Sequence, residues 1–224
     1  DHSKALIKCR EALEIRTSIF GRDHPSCKDS YAALGEIHFH LGNSHTSELY
    51  IDSLTQLNKL LYKRAVLHLS EPELNQYINS FHHDQNKLFS LAYFIHRSRP
   101  NIVNLCLDNI LFYKNLIMRS HSLLQNKLLN DTVNYEKLLL KKALEYRLSL
   151  EYLKPIEKRD SIHFINLLNQ SNQIDKDLAG NLDFSELILD KTKYVDLKKV
   201  LRSNEVAIEL VHFNHFFGKT NDSI

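Results

Sequence analysis

Apolar residues recur every three or four positions along most of this chain of 224 residues. That spacing places them on one side of an α-helix and predicts amphipathic helices. In the second predicted helix, the apolar face carries Tyr31, Leu34, Ile37 and Leu41. Glycine and proline, which interrupt helices, number only 5 and 4. The pattern therefore predicts a mainly α fold.

The N-terminal part of the chain contains a helical repeat. Glu11-Ala12-Leu13 lies in an amphipathic pattern, and Asp52-Ser53-Leu54 occupies the corresponding place about forty residues later. Between them, Gly21-Arg22-Asp23-His24-Pro25 predicts a break, with Pro25 suited to the first turn of a new helix. Gly42-Asn43 predicts the C-terminal cap of that helix. A period of this size is typical of stacked helical hairpins.

Further helices are predicted downstream. Ser70 and Glu73 have the spacing of a capping box, in which side chains at the start of a helix satisfy free backbone N–H groups. Pro155 predicts an interruption. The predicted helices cover residues 71–81, 84–96, 101–129, 132–153 and 156–178. Two of them carry apolar stripes typical of packing between helices, namely Leu138, Leu144 and Leu148, and Phe164, Leu168, Ile174 and Leu178.

Residues 206–213 are rich in β-branched and aromatic residues and predict a single β-strand. A lone strand has no partner for its N–H and C=O groups and is not stable in water. Ordering one residue costs about 1–2 kcal/mol, so a sheet from further sequence is needed to offset the cost. We therefore expect that the chain is cut at this end, and the missing initiator Met suggests the same for the other end.

Residues 1–62 resemble tetratricopeptide (TPR) repeats of the kinesin-light-chain-like kind. The resemblance rests on Ala12-Leu13-Glu14-Ile15, Gly21-Arg22-Asp23-His24-Pro25, Leu34-Gly35 and Leu41-Gly42-Asn43. It implies that Gly35 lets the two helices of a hairpin approach closely. The sequence departs from the family at His38, where Tyr is usual, and at Ser47, where Ala is usual.

Residues 101–121 and 194–213 together resemble the CHAT (caspase HetF-associated with TPRs) family. The first block contains Leu107-Asp108-Asn109-Ile110-Leu111-Phe112-Tyr113, and the second runs from Tyr194-Val195-Asp196-Leu197 to Leu210-Val211-His212-Phe213. The resemblance implies a caspase-like α/β protease domain that begins near Asn204, with a Cys–His dyad after later strands. It divides the chain into TPR-like repeats (1–62), a helical linker or bundle (63–193) and the start of a CHAT domain (194–224).

Charge and cysteine content exclude several classes of partner. The 29 basic and 27 acidic residues leave a net charge of +2, too small a field to indicate nucleic acid or an anionic membrane. No segment has the roughly 18 consecutive apolar residues of a membrane span. The cysteines, Cys9, Cys27 and Cys106, are sparse and far apart, which suits a reducing compartment. We expect a cytoplasmic protein.

No arrangement of residues predicts chemistry in this segment. The three cysteines precede the predicted strand, so none matches the nucleophile that the CHAT resemblance implies. Of the 13 histidines, His38 and His40 lie on different helix faces, and no His/Cys set has zinc-like spacing. There is no glycine-rich phosphate loop. We predict no metal, no cofactor, no catalytic residue and no small-molecule ligand, and hence no enzymatic activity in this segment.

A partner-binding surface remains. In TPR arrays the first helix of each hairpin lines a concave groove, and the resemblance places five residues of this chain there. Polar groups around one aromatic ring can recognise an extended or helical peptide. The five residues are Asp29, Ala32, Glu36, Phe39 and His40. The alternative is that they are ordinary solvent-facing residues.

The sequence is therefore interpreted as a protein-interaction and regulatory segment of a TPR–CHAT protein, with a cysteine protease domain downstream. One alternative is a TPR adaptor of kinesin-light-chain type without enzymatic activity. That alternative explains residues 1–62 equally well but leaves 101–121 and 194–213 without an explanation. Another alternative is a CHAT-like pseudoenzyme that has lost its catalytic residues.

Overall fold

The computed structural model describes residues 2–66, 69–114, 132–181 and 193–217. Over these ranges the chain is mainly helical, as predicted. The helices are α1 (His2–Phe20), α2 (Cys27–His40), α3 (Ser44–Val66), α4 (Glu71–Asn79), α5 (His82–Ile95), α6 (101–114), α7 (Thr132–Leu153), α8 (Ser161–Asn181) and α9 (Tyr194–Val200). The predicted continuation of α6 to residue 129 lies outside the described residues. Within the described ranges, no helix is long and apolar enough to cross a membrane.

The chain forms two compact units that are assembled from separated segments. Unit 1 comprises residues 1–62, 79–115 and 191–224, and unit 2 comprises residues 63–78 and 116–190. The N-terminal helices and α5 thus belong to one unit, while α7 and α8 belong to the other. The division into residues 1–62, 63–193 and 194–224 follows from the resemblance to known families and stays a prediction.

In unit 1, α1 and α2 pack together as the first helical hairpin. The chain leaves α1 at Gly21, whose φ of +83° lies in the left-handed region that glycine adopts without steric cost. The ring of Phe20 stacks on His24 within the turn, with centroids 4.6 Å apart. The predicted break is confirmed, and α2 begins at Cys27, shortly after Pro25.

The end of α2 is also where the sequence predicts it. Gly42 has a φ of +76°, and its N–H donates to the Phe39 carbonyl at 2.9 Å. The Asn43 N–H donates to the His38 carbonyl at 2.9 Å. These two bonds form a Schellman motif, which satisfies the last carbonyls of the helix. The tight turn returns the chain so that the first turns of α3 reach back to α2.

The helices α2 and α3 approach each other closely at Gly35. A Cβ atom at this position would lie 2.7 Å from Ile51 Cδ1 and 2.9 Å from Ile51 Cγ1. The Ser47 hydroxyl, fully buried, donates to the Gly35 carbonyl at 2.7 Å. The predicted role of Gly35 is therefore confirmed, and Ser47 makes a bond that the usual alanine could not make.

We expect Gly35→Ala to destabilise the chain by about 1 kcal/mol. Overpacking against Ile51 costs about 1–3 kcal/mol, and the better helix propensity of alanine returns up to about 1 kcal/mol. Urea unfolding of Gly35→Ala, Ile51→Val and the double variant measures the coupling. Ile51→Val removes Cδ1, so it should cost less in the Gly35→Ala background than in the wild type. Strict additivity of the two changes would contradict the close approach.

The core of unit 1 brings α5 against α2. Its buried apolar side chains come from α2, α3, α5, α6 and the C-terminal segment, and they are Ala32, Ile51, Leu54, Leu88, Leu91, Ile95, Ile102 and Phe217. Asp84 of α5 ties the helices together at their edge. It accepts a hydrogen bond from Asn58 Nδ2 at 2.9 Å and pairs with Lys28 at 3.1 Å. As a result α2 is packed on more than one side.

In unit 2, α7 and α8 pack together through the predicted apolar stripes. Leu138 and Leu178 form one buried cluster, and Leu144, Leu148 and Leu167 form another. The interhelical role of the stripes is confirmed. Beside them, Lys141 Nζ lies 2.5 Å from Asp175 Oδ1, and both residues are only 7% exposed. This buried ion pair joins the two helices beside their apolar stripes.

We expect Asp175→Asn to destabilise unit 2 by about 1.5–3 kcal/mol, because the buried Lys141 ammonium loses its nearest counter-charge while Glu145 Oε1, 3.5 Å from its Nζ, still offsets part of the charge. The double variant Lys141→Met/Asp175→Leu should fall within about 1 kcal/mol of the wild type or exceed it, since apolar pairs replace buried ion pairs well. Glu11→Gln is the matched control, because its pair with Lys8 is exposed and should contribute about 1 kcal/mol or less. A loss of stability in Asp175→Asn as small as that in Glu11→Gln would contradict a stabilising role of the buried Lys141–Asp175 pair.

Two helix starts show how local groups decide a boundary. The Ser70 N–H donates to Glu73 Oε2 at 2.9 Å, which confirms the half of the predicted capping box that Glu73 supplies at the start of α4, and the Ser70 hydroxyl donates to the same oxygen at 3.0 Å. Contact with Lys176 and the Ser70 N–H holds the pKa of Glu73 below its ordinary value. By contrast, α8 starts at Ser161 and not at Ile156 as predicted. Asp160 Oδ1 accepts the N–H groups of Ile162 and His163 at 3.0 Å, so this side chain caps the helix.

The predicted strand at 206–213 is not formed. In the described residues this segment is neither helix nor strand, and its apolar side chains are exposed: Val206 by 78%, Ile208 by 77% and Leu210 by 89%. The physical reason is that no second strand among the described residues offers backbone groups for a ladder. The caspase-like domain that this strand was predicted to open is likewise not observed in the described residues.

Candidate partner-binding surface

The five residues predicted to line a groove lie on α2, and the structure separates them into two groups. Asp29 and His40 are exposed. Ala32 belongs to the core of unit 1, and Phe39 packs against that core. Glu36 is half-buried and pairs with Lys87 of α5, with Nζ and Oε2 3.8 Å apart. The middle of the predicted surface is therefore covered by other parts of unit 1.

Two aromatic residues cover the predicted surface at Phe39. The Phe39 ring lies 5.5 Å from Phe94 of α5 and 4.9 Å from Phe217 of the C-terminal segment, measured between centroids. Phe217 is only 4% exposed. An aromatic residue of the chain itself thus lies against Phe39, one of the residues that were predicted to line a peptide-binding groove.

The backbone of the C-terminal segment is hydrogen-bonded to side chains of α5. Ser90 Oγ donates to the Asn214 carbonyl at 3.1 Å and accepts from the Phe216 N–H at 3.1 Å. The Asn214 N–H donates to Asn86 Oδ1 at 3.3 Å. Asn86 and Ser90 are four positions apart and so lie on one face of α5. This face binds an extended backbone through polar side chains.

Aromatic rings of the same segment lie along α5. Phe213 packs on Phe89 with centroids 5.9 Å apart. The ring of Phe216 meets that of His83 edge to face at 4.4 Å. His215 lies 4.8 Å from Tyr93. We call residues 213–217 the docked segment, and we define the α2–α5 face as Phe39, Asn86, Phe89, Ser90, Tyr93 and Phe94.

Sequence reasoning placed Phe39 on this surface but missed the α5 side of it. The signal that could have identified the α5 side is the helical spacing of Asn86 and Ser90 beside the aromatic residues Phe89, Tyr93 and Phe94. Small polar groups inside an aromatic stripe are unusual for a face that serves only as core. The contact itself joins residues that are 124 positions apart, and no local pattern encodes it.

Cys106, which packs against the core of unit 1, favours its uncharged form. Burial raises the pKa of the Cys106 thiol to about 12. Cys27 is fully buried, and its thiol donates to the Gly21 carbonyl at 3.5 Å. Among the residues that the structure describes, no group of three or more His, Cys, Asp or Glu side chains is placed to hold a metal ion.

His38, on the side of α2 that faces α3, is a buried histidine. It is 4% exposed and stacks on Tyr50 with centroids 5.5 Å apart. Within the described residues, neither ring nitrogen has a hydrogen-bond partner. Burial lowers the pKa of His38 below its ordinary value, and the charge of Arg10 adds to the effect.

The stability of the chain should therefore fall as the pH drops below about 6.5, because the unfolded chain binds a proton at His38 that the folded chain binds less readily. His38→Phe keeps a ring on Tyr50 and removes this loss. Its gain in unfolding free energy over the wild type should be larger at pH 5 than at pH 7.5, by at most about 1.4 kcal/mol per pH unit.

The matched control for this measurement is Leu49→Phe, which adds a ring at an exposed position of α3 without changing a titratable group and should keep the pH dependence of the wild type. Equal gains of His38→Phe at both pH values would contradict the assignment of a lowered pKa.

Comparison of the chain with known protein families, with curated proteins and with solved structures returns no match.

Proposed function

We propose that this chain is a protein-interaction and regulatory segment of a TPR–CHAT protein, whose α2–α5 face docks a partner protein in the cytoplasm. The observation that carries the proposal is the way in which this face holds an extended backbone. Ser90 and Asn86 bond to peptide groups, and Phe39 contacts an aromatic side chain beside them. Extended peptides are recognised through such a combination of main-chain bonds and side-chain pockets.

The hairpin geometry supports the TPR part of the proposal. The break at Gly21, the Schellman motif at Gly42 and the close approach at Gly35 each fall where the resemblance to TPR repeats requires them. Each repeat unit of such an array buries its apolar face against a neighbour. In α1, apolar side chains such as Ile15, Ile19 and Phe20 are exposed, as expected for a helix on which a further repeat stacks.

For the CHAT part, we propose that residues 206–213 pair with the sheet of a caspase-like domain and that partner binding controls a cysteine protease there. Val206, Ile208 and Leu210 stand at alternate positions and are exposed, which leaves one apolar face available for strand pairing. The class of enzyme rests on the family resemblance alone.

The alternative function is a TPR adaptor of kinesin-light-chain type, which the hairpin geometry of residues 1–62 supports equally well. The adaptor hypothesis gives no role to 101–121 and 194–213. The coding sequence after Ile224 discriminates between the functions. A His and then a Cys, each just after an apolar strand-like run, favour the protease. More helical repeats favour the adaptor, and strands without the dyad favour a pseudoenzyme.

We predict that residues 1–224 alone hydrolyse no peptide. A nucleophilic cysteine needs a lowered pKa, whereas burial raises that of Cys106 to about 12. The measurement is cleavage of a fluorogenic peptide library by the purified chain, with Cys106→Ala as the matched variant. Hydrolysis by the wild type that Cys106→Ala abolishes would contradict the prediction.

A further inference from the structure

The docked segment is bound chiefly through its backbone and its last aromatic residue. Ser90 Oγ contacts both the Asn214 carbonyl and the Phe216 N–H at 3.1 Å, and Asn86 Oδ1 accepts the Asn214 N–H at 3.3 Å. Backbone groups are the same in every peptide. This part of the contact therefore accepts any extended chain of the right length.

The side chains add a preference for aromatic residues at the first, fourth and fifth positions. Phe213 packs on Phe89, Phe216 on His83, and Phe217 on Phe39. Lys87 Nζ lies 5.9 Å from the centroid of the Phe216 ring. Phe217 is buried, whereas Asn214 and His215 are exposed. The face thus reads aromatic residues at the first, fourth and fifth positions, and at the third position the His215 ring lies against Tyr93 and Phe94.

Among the described residues of the C-terminal stretch 202–217, the buried contacts with the helices lie in the docked segment. The side chains of residues 202–212 are exposed throughout, and within the described residues Glu209 of that stretch pairs with Lys114 of α6. An exposed pair of this kind contributes little to stability. Release of the docked segment therefore needs little change in residues 202–212, but it uncovers the core of unit 1 at Phe217.

We propose that the α2–α5 face is a recognition site for an extended partner segment with the aromatic pattern just described, and that residues 213–217 occupy it as an internal competitor. The inference rests on the proposed docking function of this face. A tethered segment acts at an effective concentration in the millimolar range. A partner therefore gains access only when the docked segment is released, for instance when residues 206–213 pair with a sheet elsewhere.

The experiment uses the full chain with a specific protease site inserted between the exposed residues Glu205 and Val206. A fluorescent peptide of residues 206–217 is titrated against the intact chain and against the nicked chain. Binding to the nicked chain should be at least about tenfold tighter, because nicking removes the tether. A peptide with serine in place of Phe213, Phe216 and Phe217 should not bind.

Ser90→Ala in the nicked chain should weaken peptide binding about tenfold, since it removes two hydrogen bonds. The matched control is Ser98→Ala, whose hydroxyl bonds only to the Ile95 carbonyl in the described contacts and which should leave binding unchanged. Circular dichroism checks that each variant keeps its helices. If Ser90→Ala does not fold, Asn86→Ala provides the same readout through a half-buried residue.

Each outcome has a distinct meaning. Equal binding to intact and nicked chains overturns the internal competition but leaves the proposed docking face in place. No binding to a nicked chain that keeps its helices overturns the recognition site itself. The proposed protease function is independent of both results, because it is decided by the sequence after Ile224 and by its activity.

Discussion

The close approach of α2 and α3 at Gly35 is the constraint on which unit 1 depends. Because no Cβ atom intervenes, Ile51 lies against the α2 backbone and Ser47 bonds to the Gly35 carbonyl. This contact places α3 on one side of α2. The other side, which carries Ala32 and Phe39, packs against α5 and the docked segment. A larger residue at position 35 would therefore alter the α2–α5 face, although it does not contact that face.

Local chemistry made much of the fold predictable, and long-range contacts made the rest unpredictable. The turn at Gly21, the cap at Gly42 and the Ser70–Glu73 contact each involve residues close in sequence, and each was predicted correctly. The start of α8 was predicted wrongly because Asp160 offers a better cap than Pro155. The docking of Asn214 on Ser90 spans 124 positions. Periodicity and capping rules carry no information about such a pair.

The C-terminal segment combines two opposed tendencies in one short stretch. Residues 206–213 have the composition of a strand, yet among the described residues they find no ladder partner and keep Ile208 and Leu210 exposed. Residues 213–217 instead satisfy part of their backbone on α5. A chain that can either add to a sheet or lie on a helical face has two competing arrangements.

The central claim is that the α2–α5 face binds an extended backbone through Ser90 and Asn86. Amide hydrogen exchange, followed residue by residue by NMR, tests it most directly. The account predicts slowed exchange at the Asn214 and Phe216 amides, which donate to Asn86 and Ser90, and fast exchange at Ile208 and Leu210. Equally fast exchange along the whole stretch from residue 206 to residue 217 would contradict it.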